Sequence, residues 1–133
     1  MKKITLILFA LAIISVVGCS KSSSTPDTIY TVQYSIVSTG TVIMDTIQYK
    51  NMNGETITLL GQNNADYSFT SNNQYDADLY MAGNLKDGTV VMSLTILNGS
   101  AVDFTDVHTE TWSDPNTSMH FQYRSAKKIS NSK

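Results

Sequence analysis

Apolar and polar residues alternate with a period of two along much of this chain. Every second residue is apolar over residues 30–36, and the same pattern returns over residues 90–96. Successive side chains of a β-strand point to opposite faces, so this period predicts strands with one buried face. Residues 89–97 are the most apolar segment after the first nineteen residues. We therefore predict that they form the central strand.

Further strand-like runs and the turn signals between them divide the rest of the chain. The runs cover residues 41–49, 55–60, 67–69, 78–82, 100–105 and 119–123. Asn53-Gly54, Asp87-Gly88 and Asn98-Gly99 predict tight hairpin turns, because these residue types accept a positive φ. Residues 38–40 predict another turn, and a slip in the alternation at Met44-Asp45 predicts a bulge. Residues 107–116 stay ambiguous, with Trp112 either closing one end of the core or exposed on a loop.

Seven or eight short strands with tight turns define the expected fold class. No stretch of eleven or more residues after the N-terminal segment has a helical period. The sequence therefore predicts an all-β domain, an antiparallel immunoglobulin-like β-sandwich, with a small barrel as the second possibility. Its length, about a hundred residues, suits one domain.

The first nineteen residues follow a different pattern. Lys2 and Lys3 precede an apolar run over residues 4–17, and Gly18 stands directly before Cys19. This order is typical of a secretion signal, and the run is shorter than the roughly twenty residues of a spanning helix. The segment resembles the lipobox signals of bacterial lipoproteins. The resemblance implies cleavage of residues 1–18 and acylation of Cys19, for example with palmitate; an ordinary signal peptide or an uncleaved anchor is the alternative.

The domain boundaries follow from these assignments. Residues 19–28 are short, polar and serine-rich, and we expect a lipidated cysteine followed by a flexible tether. We place the β-sandwich at residues 29–124 and a disordered tail at residues 125–133. Ser20, rather than aspartate, follows Cys19, and the lipoprotein resemblance then favours the outer membrane of the bacterial cell envelope.

Charge and cysteine content restrict the possible partners. Of nine basic residues the signal removes two, which leaves seven against eleven acidic residues. An acidic surface does not favour nucleic acid. The single cysteine leaves no intrachain disulfide, so packing alone must hold the fold.

Two segments resemble the MmpS family, whose members carry an extracytoplasmic β-sandwich behind an N-terminal anchor and assist lipid-exporting transporters. Residues 47–54 resemble that family's strand and Asx-Gly turn. Residues 88–99 resemble its glycine, alternating strand and turn, although Met92 stands where the family often has a cysteine. The resemblance implies a sandwich and an accessory role at an envelope transporter.

Candidate chemistry is sparse. His108 and Glu110 would point to one face of a strand and could bind zinc with a nearby aspartate such as Asp103 or Asp106, as in a small metal-dependent hydrolase. Asp66, Asp76 and Asp78 could bind calcium, but turn chemistry explains them more simply. No Gly-x-Ser-x-Gly turn or phosphate-binding glycine loop is present. We therefore expect no enzymatic activity, no catalytic residue, no metal and no cofactor.

Binding is the remaining class of function. Four aromatic residues fall within fourteen positions and could form a platform for a carbohydrate or peptide, or fill the core: Tyr67, Phe69, Tyr75 and Tyr80. Thr28 and Thr46 each lie in an Asp-Thr-Ile tripeptide that resembles an O-glycosylation sequon of some Gram-negative lineages, and Thr28 is the accessible one. The sequence thus predicts a lipid-anchored binding module whose partners are the membrane and an envelope protein or carbohydrate.

Overall fold

The computed structural model describes residues 28–72 and 74–130. The predicted signal segment, Cys19, the predicted tether as far as residue 27 and residues 131–133 lie outside the described residues. The described part of the chain is built from strands and turns, without a helix. Accordingly, no helix in it is long and apolar enough to cross a membrane.

Six strands form one antiparallel sheet. They are β1 (Tyr30–Lys50), β2 (Thr56–Leu60), β3 (Ala65–Ser71), β4 (Tyr75–Asn98), β5 (Ala101–Ser113) and β6 (Met119–Ile129). Strands β1 and β4 pair along most of their length and occupy the centre. The two short strands β2 and β3 both pair with β1, whereas β5 and β6 both pair with β4. The sheet therefore has two four-stranded parts that share the long central strands.

We name these parts the first and the second half-sheet. The first consists of β3, residues 30–39 of β1, residues 88–98 of β4, and β5. The second consists of β2, residues 42–50 of β1, residues 75–85 of β4, and β6.

A sharp bend in β1 and β4 separates the half-sheets. Gly40 and Gly88 are register partners in the two strands, with φ angles of 80° and 141°. The register of β1 with β4 also shifts between Thr41 and Val42 and between Met44 and Thr46. The second shift lies at the predicted bulge. Tyr34 and Tyr49 are fifteen residues apart in β1, about 50 Å in a straight strand, yet their ring centres lie 5.7 Å apart. The strand therefore folds back, and the half-sheets face each other.

The space between the half-sheets holds the core. The alternate apolar residues predicted for the central strand, from Val90 to Ile96, are fully buried in β4. Their partners in the first half of β1, from Val32 to Ile36, are buried as well. This confirms the predicted inward faces and the central position of residues 89–97. Asn53-Gly54 and Asn98-Gly99 form the predicted turns between β1 and β2 and between β4 and β5.

The structure corrects the strand number and the C-terminal boundary. The predicted turns at residues 38–40 and 86–88 are the bends of continuous strands, so the expected seven or eight strands are six. The predicted disordered tail was wrong for residues 125–129, which continue β6 and pair with residues 75–79 of β4. Ile129 is buried against the core, which explains why the strand extends that far. The all-β antiparallel class is confirmed as one six-stranded sheet.

Candidate functional site

The inward face of β5 carries the predicted His108 and Glu110. His108 is the register partner of Met92 and Glu110 that of Val90, so both point to the side of the sheet that holds the core. Asp106 is the next residue on that face, and Phe104 and Trp112 flank the three polar residues. Strand β5 lies at an edge of the sheet, where inward-pointing charges oppose pairing with another strand. The polar residues therefore fit the position of β5 as an edge.

Side chains from β5 and β6 close this side of the core without backbone pairing. The His108 ring stacks on Tyr123 of β6, with ring centres 3.8 Å apart and planes within 4°. The Tyr123 hydroxyl donates to Asp106 Oδ2 over 3.2 Å, and His108 Nε2 lies 2.6 Å from Glu110 Oε1. Burial has the largest effect on the pKa of the Tyr123 hydroxyl and raises it, and the hydrogen bond to Asp106 raises it further. We call these four residues the β5–β6 seam.

The seam does not assemble the predicted zinc ligands. His108 and Glu110 do lie together, but they bind each other, and Asp106 binds Tyr123 instead. Within residues 28–72 and 74–130, no group of three His, Cys, Asp or Glu side chains is placed to hold a metal ion. The predicted calcium residues are also separated, since Asp66 lies on β3 while Asp78 binds Arg124 of β6, with Nε 2.8 Å from Oδ1. The geometry of the seam supports a structural role.

The aromatic residues considered for a binding platform lie mostly inside the fold. Phe69 and Tyr75 are buried, and Tyr67 packs against the core between Tyr34 and Tyr49. The Tyr75 hydroxyl lies 2.7 Å from the carbonyl oxygen of Lys50. Burial raises the pKa values of both Tyr34 and Tyr75. These three rings therefore join the half-sheets, whereas Tyr80, the fourth candidate, is partly exposed on the outward side of the second half-sheet.

The outward side of the first half-sheet forms a nearly uncharged surface. Its residues follow from the registers of β3, β1, β4 and β5, and most of them are threonine, serine or valine. We call this surface the threonine face. It comprises Asp66, Ser68 and Thr70 of β3; Thr31, Gln33, Ser35, Val37 and Thr39 of β1; Thr89, Val91, Ser93, Thr95 and Leu97 of β4; and Val102, Thr105, Val107, Thr109 and Thr111 of β5. Asp66, at the β3 edge, is the one carboxylate among these residues, and exposed Asp103 lies beside them at the β5 edge, where the register with β4 shifts.

Cross-strand hydrogen bonds organise this face. Thr89 Oγ1 lies 3.2 Å from Thr111 Oγ1, and Thr95 Oγ1 lies 3.2 Å from Thr105 Oγ1. A hydroxyl that already has a partner loses less when water is removed than an unpaired one. The methyl groups of these threonines add to the apolar area of the valines, of which Val37 and Val107 are 53% and 60% exposed. The face can thus be covered at a small desolvation cost.

The outward side of the second half-sheet is charged. Arg124 forms an ion pair with Asp78, and Lys50 lines the same shallow groove of about 80 Å³ beside Tyr80. The hydrogen bond to the Asp78 carboxylate raises the pKa of the Arg124 guanidinium. The two outward sides therefore differ: one carries fixed charges and the other almost none.

The two threonines in possible glycosylation sequons have different exposure. Thr28 is partly exposed, just before β1 begins. The Thr46 hydroxyl is buried and has no hydrogen-bond partner in the described part of the chain. A modifying enzyme could reach Thr28 but not Thr46 in the folded domain.

Sequence reasoning missed the threonine face, although its signal was present. The alternation that identified Val90 to Ile96 as inward residues also assigns Thr89, Val91 and Ser93 to the outward side. What the sequence lacked was the strand order, which brings the outward sets of β3, β1, β4 and β5 together. Comparison with protein-family models, with curated proteins and with solved structures finds no match to this chain.

Proposed function

We propose that this chain is a lipid-anchored, non-enzymatic interaction module of the bacterial cell envelope, located at the outer membrane. Acylated Cys19 provides the anchor, because two or more acyl chains on one site hold a protein on a membrane. From Cys19 to Thr28 the chain can extend at most about 35 Å. The domain therefore works close to the bilayer surface. Its folded sheet acts as a β-sandwich, as the packing of Tyr34 against Tyr49 across the core supports.

The threonine face is the observation that carries the binding role. Specific interfaces are depleted of charged residues at their centre, and the carboxylates beside this face, Asp66 and Asp103, stand at its two edges. The face is four strands wide, with about 4.8 Å between strands, and about five outward residues long, with about 6.7 Å between them along a strand. It therefore covers about 600 Å², close to the roughly 800 Å² per partner of a standard interface. Together with the threonine methyl groups, the exposed valines form a connected apolar area, which supports a contact role for this face.

A non-enzymatic role agrees with the β5–β6 seam. His108 and Glu110 bind each other, and His108 stacks on Tyr123, so these groups hold β5 against β6. Accessory function at an envelope transporter, which the resemblance to the MmpS family suggests, is one form that the binding role can take.

Photocrosslinking in intact cells tests the binding role. A photoreactive phenylalanine analogue replaces Val107 on the threonine face, or Gln122 on the outward side of β6 as the matched control; both positions are exposed. We expect a discrete adduct for the Val107 position and none for the Gln122 position. Equal adducts at both positions, or none at either, would contradict a binding role for the threonine face.

Labelling with a fatty-acid analogue tests the anchor separately. We expect label in the wild-type protein and none in Cys19→Ser. Equal labelling of the two would remove the anchor from the proposal, while the crosslinking result would still stand.

A further inference from the structure

We propose that the partner of the threonine face is a second copy of this chain, so that the protein forms a two-fold symmetric dimer on the membrane. This inference rests on the proposed function, and it adds the identity of the partner.

Charge decides which surfaces of two copies can approach each other. Residues 28–72 and 74–130 contain ten acidic and five basic residues, so two copies repel over most of their surfaces. The other carboxylates lie on the second half-sheet, in the seam, at the bends and on loops, and only Asp66 and Asp103 stand beside the threonine face, at its β3 and β5 edges. Like charges brought together across an interface are costly. The threonine face avoids that repulsion.

The area of the face is sufficient for an isologous pair. Two faces of about 600 Å² bury about 1,200 Å² together, the lower limit of the standard range for specific complexes. Both copies are also held on one membrane by their tethers, which raises their effective concentration and lets a small interface suffice. The Thr89–Thr111 and Thr95–Thr105 hydrogen bonds lower the desolvation cost on both sides.

The direction of β1 makes such a pair compatible with one membrane. The described chain begins at Thr28, at the end of the first half-sheet where the Gly99 N–H donates to the carbonyl oxygen of Ile29. A two-fold axis along the strands keeps the Ile29 ends of both copies on the same side. Both tethers can then enter the same leaflet.

The same axis places Val37 near its own counterpart. Val37 lies on β1, one of the two central strands of the face, and is exposed. The two-fold axis runs parallel to the strands, between the two faces and above the boundary of β1 and β4. It keeps the position of Val37 along the strand direction, so the two Val37 residues face each other across sheets about 10 Å apart. A charge introduced at Val37 therefore meets the same charge in the partner copy.

A charge-swap experiment in intact cells tests this arrangement. Two full-length copies with different epitope tags are expressed together, crosslinked in the membrane and captured through one tag. We expect Val37→Glu in both copies, and Val37→Lys in both copies, to reduce recovery of the other tag at least tenfold. Val37→Glu paired with Val37→Lys should restore it. Gln122→Glu in both copies, on the opposite outward side, should leave recovery within twofold of the wild type.

Each outcome has a defined meaning. Restoration by the mixed pair requires contact between two copies and is independent of any loss of folding in one variant. No co-capture of wild-type copies, combined with a Val107 adduct to a different protein, overturns the dimer and keeps the proposed binding role. Absence of any adduct at Val107 overturns both. Equal recovery for all Val37 combinations places the contact elsewhere and overturns the inference.

Discussion

Replacing Gly40 by alanine tests the bend on which the fold depends. Gly40 has a φ of 80°, and a Cβ built on it would lie 2.2 Å from the backbone oxygen of Asp87. Alanine therefore meets two costs at this position. The first is the positive φ, about 1 to 2 kcal/mol for a residue with a Cβ. The second is the collision with the backbone of β4.

Gly54 provides a matched control for the first cost. Its φ is 78°, and a Cβ built on it would have nothing within 4 Å. Gly54→Ala should therefore cost only the conformational term of about 1 to 2 kcal/mol. The collision at Gly40 must be relieved by moving β1 away from β4, and forced overpacking of this kind costs typically about 1 to 3 kcal/mol. We expect a total of about 2 to 5 kcal/mol for Gly40→Ala.

Equilibrium unfolding in urea measures the difference. Residues 19–133 with Cys19→Ser, which excludes the proposed acylation, are used for all variants, and circular dichroism follows the loss of strand structure. With a urea slope of about 1.5 kcal/mol per M, Gly54→Ala should lower the midpoint by about 1 M and Gly40→Ala by about 1.3 to 3 M. A domain with a total stability of about 5 kcal/mol would not fold at all with the larger cost. Equal midpoints for the two variants would refute the close approach of β1 and β4 at the bend.

Three further substitutions or changes of condition test the core, the charge state and the C-terminal boundary. Leu94→Ala removes a fully buried side chain of β4, so it should reduce the free energy of unfolding by about 2 to 5 kcal/mol in urea; a change below 1 kcal/mol would contradict its central position. Tyr34 and Tyr75 have raised pKa values, so both hydroxyls stay protonated in the folded form above pH 10, where they ionise in the unfolded form. The free energy of unfolding should therefore be constant below pH 10 with respect to these two groups. Above pH 10 it should fall by up to about 1.4 kcal/mol per pH unit for each group. Urea midpoints from pH 8 to 11.5 check this slope, which Tyr34→Phe should reduce. A stop codon at Ser125 removes the buried Ile129 and the last β6 pairs, and thermal unfolding at a clearly lower temperature is expected; an unchanged midpoint would support a dispensable tail.

Local pattern predicted the inward faces because strand alternation depends on neighbouring residues only. Val32 and Leu94, for example, follow directly from the period of two, and both are fully buried. The Asn53-Gly54 and Asn98-Gly99 turns are also local, since their backbone angles depend on residue type. The strand order and the two half-sheets depend on contacts between distant segments, which no local pattern contains.

The bends show where local signals are insufficient. Asp87-Gly88 has the same residue types as a hairpin turn, and the sequence predicts one there. Gly88 pairs with Gly40, 48 positions away, and this pairing keeps β4 continuous. Burial of Ile129 depends likewise on Tyr75, its register partner in β4. Glycine with a positive φ is compatible with a turn or with a bend, and the distant partner decides between them.

The candidate site was less predictable than the fold for the same reason. His108 and Glu110 were expected to share a face, and they do, but their chemistry depends on Tyr123, which stacks on His108 from another strand. That contact turns a possible ligand pair into part of the β5–β6 seam. The threonine face likewise exists only when four strands bring their outward residues together. In this chain the function we propose is a property of the assembled sheet. A substitution such as Val37→Glu should therefore affect association but leave the core intact, with the free energy of unfolding in urea within about 0.5 kcal/mol of the wild type.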